Sequence, residues 1–142
     1  MITAVDTSVL IDIFRADERY GLQSAQAIRR SSKHGRLVVC DVVWAELTAL
    51  FSTRQALYDQ MVSMRIDFLP VDRNAATLAG ELWGQYRARG GDRKRVIADF
   101  LIAAHAKVQC DRLLTRDRRF RRDYFGDVAI VDPMADAEDA SS

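Results

Sequence analysis

Five short apolar runs alternate with helix-length stretches along this chain, and that order constrains its fold more than any other feature. The runs are Ile2–Val5, Arg36–Cys40, Ile66–Val71, Arg112–Thr115 and Val128–Val131. Each is strand-length and near-continuously apolar, as strands buried on both faces are. Between them the pattern predicts helices. The first is capped by Thr7 or Ser8 and runs through Phe14, and the second spans about Glu18 to Lys33 and ends at His34-Gly35. Asp41 is expected to cap a helix reaching about Phe51, followed by helices over Thr53–Arg65, Arg73–Arg89 and Val96–Val108, with a short helix or turn over Arg118–Tyr124. Strands alternating with helices predict an α/β domain: a mostly parallel central sheet of four to five strands, flanked by helices. No internal repeat or linker divides it, so one domain is expected over 1–133, with an acidic, frayed tail over 134–142.

At 142 residues and 49% hydrophobic, the chain has material for one full core. No apolar run approaches the ~20 residues that span a bilayer. The first apolar residues run straight into Asp6 with no basic segment before them, so a cytoplasmic location without a secretory signal is expected. Cys40 and Cys110 lie beside apolar stretches with no metal-binding spacing and are expected as reduced, buried thiols. His34 ends a helix and His105 sits in an Ala-rich one; both read as structural.

Four acids stand where acids are costly. Asp6 follows the first apolar run, Glu46 lies in Val42-Val43-Trp44-Ala45-Glu46-Leu47, Asp99 lies in Val96-Ile97-Ala98-Asp99-Phe100-Leu101-Ile102, and Asp117 follows Leu113-Leu114-Thr115-Arg116. A carboxylate in apolar surroundings needs a partner, hydrogen bonds or a metal. Sites in parallel sheets form beyond the carboxyl ends of the strands, which places Asp6 and Asp117 at one sheet edge. The helix-face neighbours of Asp99 are Arg95, Val96, Ile102 and Ala103, and those of Glu46 are Val42, Val43, Ala49 and Leu50, so both are expected to face largely inward. Each acid also has an ordinary alternative. Asp6 can cap a helix, Glu46 can pair with a distant Arg, Asp99 can pair with Arg95, and Asp117 can pair with a neighbouring Arg or cap the next turn. Convergence of all four favours a divalent-metal site. Oxygen-only ligation selects Mg²⁺ or Mn²⁺, and such an ion serves phosphate chemistry. Thr7, Ser8 and Thr115 are hydroxyls beside the acids, with roles as ligand-orienting groups or as caps.

Charge is unevenly spread. Residues 87–122 hold twelve Lys or Arg against four acids, an excess of eight in a chain of net charge +1, leaving −7 elsewhere. A basic region beside an acidic focus suits a polyanionic substrate, and equally a solvated Arg-rich face.

In sequence, Val5-Asp6-Thr7-Ser8-Val9-Leu10-Ile11-Asp12, Trp44-Ala45-Glu46-Leu47, Ala98-Asp99-Phe100-Leu101-Ile102-Ala103-Ala104-His105-Ala106 and Leu113-Leu114-Thr115-Arg116-Asp117-Arg118-Arg119-Phe120 resemble a PIN domain, more narrowly the VapC-type toxins of toxin–antitoxin pairs. The resemblance runs from Val5 to Pro133. It implies a Mg²⁺- or Mn²⁺-dependent endoribonuclease, a small antitoxin that neutralises it, and a homodimer. It carries the catalytic acids onto Asp6, Glu46, Asp99 and Asp117, and on this reading Asp6 and Asp99 are the main metal ligands, directly or through water, Glu46 holds a metal water or helps activate the nucleophile, Asp117 completes the acidic pocket and the Arg-rich 87–122 region meets RNA phosphates. Asp12 is left outside the site, with Arg15 as its expected helix-face partner. The antitoxin is expected to dock near the first two helices, at Val9, Ile13 and Phe14, and to plug the pocket with an inserted Arg or Lys. The alternatives are a non-catalytic PIN-like module that binds RNA or protein, and a phosphatase of the haloacid dehalogenase kind. The latter wants a second Asp two residues after the first, where this chain has Ser8.

Overall fold

Successive strand residues point to opposite faces of a sheet, yet Thr3, Ala4 and Val5 are all buried, as are Leu37, Val38 and Val39. Both faces of the sheet are therefore covered, which is the condition for parallel strands. The computed structural model describes residues 1–91 and 96–135. Its strands are β1 (Ile2–Val5), β2 (Arg36–Val39), β3 (Ile66–Phe68), β4 (Arg112–Leu114) and β5 (Ile130–Val131). They form one parallel sheet in the order β3-β2-β1-β4-β5. The helices are α1 (Thr7–Phe14), α2 (Gly21–Ser32), α3 (Asp41–Thr48), α4 (Arg54–Ser63), α5 (Arg73–Ala88) and α6 (Ile97–Gln109). The α/β architecture expected from the alternation is the one observed.

The core runs along β1, β2 and β4 and out into α6, where Phe100, Ile102, Ala103, Ala104 and Ala106 are buried. An aromatic cluster of Tyr86, Phe100, Tyr124 and Phe125 ties α5 and α6 to the segment after β4, with ring centroids 4.7 Å apart for Tyr86–Tyr124 and 4.8 Å for Phe100–Phe125. Such pairs contribute ~0.5–1.5 kcal/mol each beyond burial. Gly35, at φ 148°, precedes β2 where a side chain would strike the Met1 backbone; the approach lets Arg36 donate to the Met1 carbonyl at 2.9 Å and aligns β2 with β1.

Several boundaries differ from expectation. The third strand stops at Phe68 because the chain leaves the sheet there: Gln109 donates to the Pro70 carbonyl at 3.0 Å, and His105 meets the Leu69 carbonyl at 2.8 Å. Residues 118–125 form two 3-10 turns, Arg118–Arg121 and Asp123–Phe125, not one helix. The first helix begins at Thr7 with Asp6 at its cap position and without a side-chain capping bond. The third has Cys40 at that position, while the Asp41 carboxylate accepts from the Val71 N–H at 3.0 Å. Cys40 is buried, but Cys110 is only half-buried; both are free thiols, and burial pushes Cys110 up to about 12. Most of the acidic tail, from 136 on, lies outside the described residues.

Candidate active site

The strand order places the switch of winding direction between β1 and β4, since β2 follows β1 on one side and β4 lies on the other. Crevices in open parallel sheets form there, beyond the carboxyl ends of the strands. Val5 is in register with Leu114, so the next residues, Asp6 and Thr115, emerge side by side. The Asp6 N–H donates to the Leu114 carbonyl at 2.9 Å, extending the ladder by one bond. The Thr115 hydroxyl donates to the Asp6 carboxylate at 2.7 Å, and the Ser8 hydroxyl donates to the same oxygen at 2.8 Å.

Asp6 is 5% exposed. Burial pushes its carboxyl pKa up, the Thr115 and Ser8 hydroxyls pull it down, and the charge of Asp117 raises it again. Glu46 is an exposed residue of α3, against the expectation that it faces inward, because α3 spends its inward positions on Val43 and Leu47. Its carboxyl end nevertheless leans onto α1, accepting from the Thr7 hydroxyl at 3.1 Å. Partial burial raises its pKa, the Thr7 bond lowers it, and the charges of Asp6 and Asp99 raise it. Asp99 sits half-buried in the first turn of α6, where the helix dipole favours a carboxylate. Arg95, its expected partner, lies outside the described residues.

Asp117 stands three residues beyond β4, and Thr115 takes the strand-end position. The Asp117 N–H donates to the Thr115 hydroxyl at 3.0 Å. Its carboxylate caps the following turn by accepting from the Arg119 N–H at 3.0 Å and pairs with the Arg119 guanidinium at 2.6 Å. The four acids are thus linked through their fields: Glu46 with Asp6 and Asp99, and Asp6 with Asp117. Thr7, Ser8 and Thr115 all bond to these acids, and Ser8 and Thr115 also accept main-chain N–H groups beyond the end of β4, from Arg116 at 3.3 Å and Asp117 at 3.0 Å. Among the described residues no three His, Cys, Asp or Glu side chains are arranged to enclose an ion. The donor set fits a hard cation that keeps most of its waters and takes one or two carboxylates, as Mg²⁺ does.

Asp12 does not pair with Arg15. It is 2% exposed on α1 and meets Arg116 from the segment after β4, Nε at 2.8 Å and Nη2 at 3.0 Å, while Ser24 donates to it at 3.0 Å. Arg116 also lies over the Tyr20 ring, 4.0 Å from its centroid. The basic region is therefore partly committed to the fold: Arg116 to Asp12, Arg119 to Asp117 and Arg121 to Asp132. Arg93, Lys94 and Arg95 lie outside the described residues. Of the residues expected at the apolar docking face, Ile13 and Phe14 are half-buried. Val9 is fully buried, and Phe14 stacks edge-on against Phe51 at 5.1 Å. Leu22 on α2 is 66% exposed, and exposed apolar surface also gathers in a groove between α3, α4 and β3, where Tyr58, Val62 and Phe68 are 43%, 76% and 50% exposed beside Trp44 and Met61. No helix among the described residues is long and apolar enough to cross a membrane.

The PIN domain family matches residues 3–125 of the chain. The fold is similar to that of VapBC2 from Rickettsia felis bound to a DNA fragment from its promoter, with a TM-score of 0.74 at 19% identity over 93% of this chain and 98% of that one. It is similar to VapBC-1 from nontypeable Haemophilus influenzae, with a TM-score of 0.70 at 20% identity over 94% and 99%. It is also similar to VapC20 of Mycobacterium tuberculosis, a toxin that cleaves the sarcin–ricin loop, with a TM-score of 0.57 at 17% identity over 84% and 92%. No curated protein sequence matches the chain.

Proposed function

Since the chain belongs to the PIN domain family, we propose that it is a divalent-metal-dependent endoribonuclease and the toxin of a toxin–antitoxin pair. The observation that carries this reading is Asp6. It is a carboxylate buried at the switch point of the sheet, oriented by two hydroxyls, with Glu46 and Asp117 acting on it electrostatically. A divalent ion at this site would supply polarisation of a phosphoryl oxygen and a lowered pKa for a bound water. Asp6 and Asp99 would hold that ion, directly or through water, and the Ser8 and Thr115 hydroxyls fix the Asp6 carboxylate so that one oxygen keeps a set direction. Glu46, exposed and raised in pKa, accepts the proton of the attacking water. Asp117 completes the negative pocket from the Arg119 ion pair.

The proposed partners are RNA as substrate, a small antitoxin, and a second copy of the chain in a homodimer; the proposed location is cytoplasmic. The antitoxin's apolar part sits in the groove of Trp44, Tyr58, Val62 and Phe68, and its inserted Arg or Lys meets the pocket carboxylates. The second reading is a non-catalytic module that binds RNA or protein. Expression in bacteria separates the two. The intact chain arrests growth, Asp6→Asn does not, and Asp6→Asn still captures the small protein encoded beside it. Harmless expression of the intact chain, with its level verified, removes the toxin reading in favour of the module.

A further inference from the structure

We infer that the cavity walled by Arg19, Tyr20, Arg116 and Arg118 binds a backbone phosphate of single-stranded RNA, adjacent to the phosphate addressed by the carboxylates. This rests on the ribonuclease reading above. The cavity encloses about 550 Å³ and is completed by Asp132 and Met134.

Three arginines share this space with one carboxylate, and their commitments differ. Asp132 is engaged by Arg121 at 3.4 Å and by the Met134 N–H at 2.9 Å. Arg116 is held by Asp12 in a two-point pair. Arg19 and Arg118 are exposed and form no ion pair among the described residues. The loop is built to hold its position. The Asp17 carboxylate accepts the N–H groups of Arg19 and Tyr20 at 2.9 and 2.8 Å. The Tyr20 ring then carries the Arg19 guanidinium at 5.0 Å and that of Arg116 at 4.0 Å from its centroid. Cations positioned before the ligand arrives lose less freedom on binding, and guanidinium forks match phosphate oxygens in shape and charge.

The cavity and the carboxylate cluster share a wall. The Ser8 hydroxyl that donates to Asp6 accepts from the Arg116 N–H at 3.3 Å. The Thr115 hydroxyl that donates to Asp6 accepts from the Asp117 N–H at 3.0 Å. The segment 115–118 thus turns its main chain toward the acids and its arginine side chains toward the cavity. A strand with a phosphate at every nucleotide can occupy both sides of this wall. A polynucleotide is the occupant the arrangement favours, because its evenly spaced phosphates would place one against the arginines and the next at the acids, where the proposed divalent ion would offset the repulsion.

The test measures binding of a short, mixed-sequence, single-stranded RNA oligonucleotide to the full chain carrying Asp6→Asn, which prevents cleavage, by fluorescence anisotropy across a salt series. Each phosphate contact to a single strand contributes ~0.7 to the log–log salt slope. Adding Arg19→Ala with Arg118→Ala removes the one phosphate contact of the cavity and is expected to flatten the slope by about 0.7 and weaken low-salt binding about tenfold. Arg118→Glu alone should weaken it further than Arg118→Ala, and thermal unfolding should be unchanged because both side chains are exposed. If the intact chain cuts RNA but the double substitution leaves the slope unchanged, this inference alone fails. If the intact chain neither cuts nor binds RNA, the ribonuclease reading fails with it. If the substitutions spare RNA binding but abolish capture of the antitoxin, the cavity is a protein seat and the inference is overturned.

Discussion

The Thr115 hydroxyl and the Asp6 carboxylate lie 2.7 Å apart and join the carboxyl ends of two neighbouring strands from positions 109 residues apart in sequence. The bond follows from the register of Val5 with Leu114. It pulls down the pKa of a carboxyl group that burial raises above its ordinary value. Thr115→Val keeps the shape and removes the donor, leaving Ser8 as the other hydroxyl on Asp6. A hydrogen bond to a charged group contributes ~1.5–3 kcal/mol, so urea unfolding should show a loss of that order, and Thr115→Ser should recover most of it. Equal stability of the Val and Ser variants would mean the bond does not form in solution.

The Asp12–Arg116 pair ties α1 to the loop after β4 across 104 residues. Arg116→Ala leaves the Asp12 carboxylate buried with only Ser24 as donor. Removing one partner of a fully buried pair costs ~3–5 kcal/mol. Arg116 is 31% exposed, so solvent screening reduces this to about 2–3 kcal/mol. Denaturant midpoints of Arg116→Ala and Arg15→Ala compare the two candidate partners directly; Arg15→Ala should be near neutral. The reverse order would restore the pairing expected from helix spacing.

His105 supplies the pH dependence. It is 1% exposed and meets the Leu69 carbonyl through Nε2 at 2.8 Å. Burial lowers its pKa from the ordinary 6.5, against the raising effects of the Leu69 bond and of Asp41 and Asp72. The unfolded chain therefore binds a proton more readily than the folded one. Stability should fall as pH drops below about 6.5, through the window down to the lowered folded-state value. His105→Gln should flatten the stability–pH curve in that window. A curve of unchanged slope would assign the effect to other groups.

Asp6, Asp99 and Asp117 differ in how committed they are. Clustered carboxylates repel one another, so millimolar Mg²⁺ or Mn²⁺ should raise the Tm by binding the folded state. Asp6→Asn should abolish that rise while leaving the metal-free protein at least as stable. Asp117→Asn should have the milder effect on activity, because its carboxylate already pairs with Arg119. An equal metal-induced rise in the Asp6→Asn protein would place the ion elsewhere.

Much of the framework was legible because it depends on local pattern. Apolar runs of strand length, alternating with helices, fix a parallel sheet, and an acid directly after the first run lands at a strand end. The position of Asp6 follows from that alone; the acid expected at the end of the fourth strand, Asp117, lies two residues further on, and Thr115 holds the strand end. What was not legible depends on long-range pairing. Arg15 is a reasonable helix-face partner for Asp12 until strand order brings Arg116 beside it. Glu46 has only apolar neighbours on its own helix face, yet α3 turns that position outward and its donor, Thr7, comes from α1. The excess of arginines in 87–122 suggested a phosphate-binding face, but composition does not distinguish Arg116 and Arg119, held by acids, from Arg118. The Arg19–Tyr20 pair was overlooked. Its one local signal is an arginine beside an aromatic ring in a loop, and its meaning depends on Arg116 arriving from the other end of the chain.

The central claim is that Asp6 and Asp99 serve a metal that cuts RNA. Its most direct test is cleavage of RNA by the purified chain, titrated with Mg²⁺ and Mn²⁺, beside Asp6→Asn and Asp99→Asn at matched folded concentration. Cleavage should require the metal, stop on chelation and be lost in both variants with their Tm undiminished. Cleavage that persists in chelator, or in either folded variant, would contradict it.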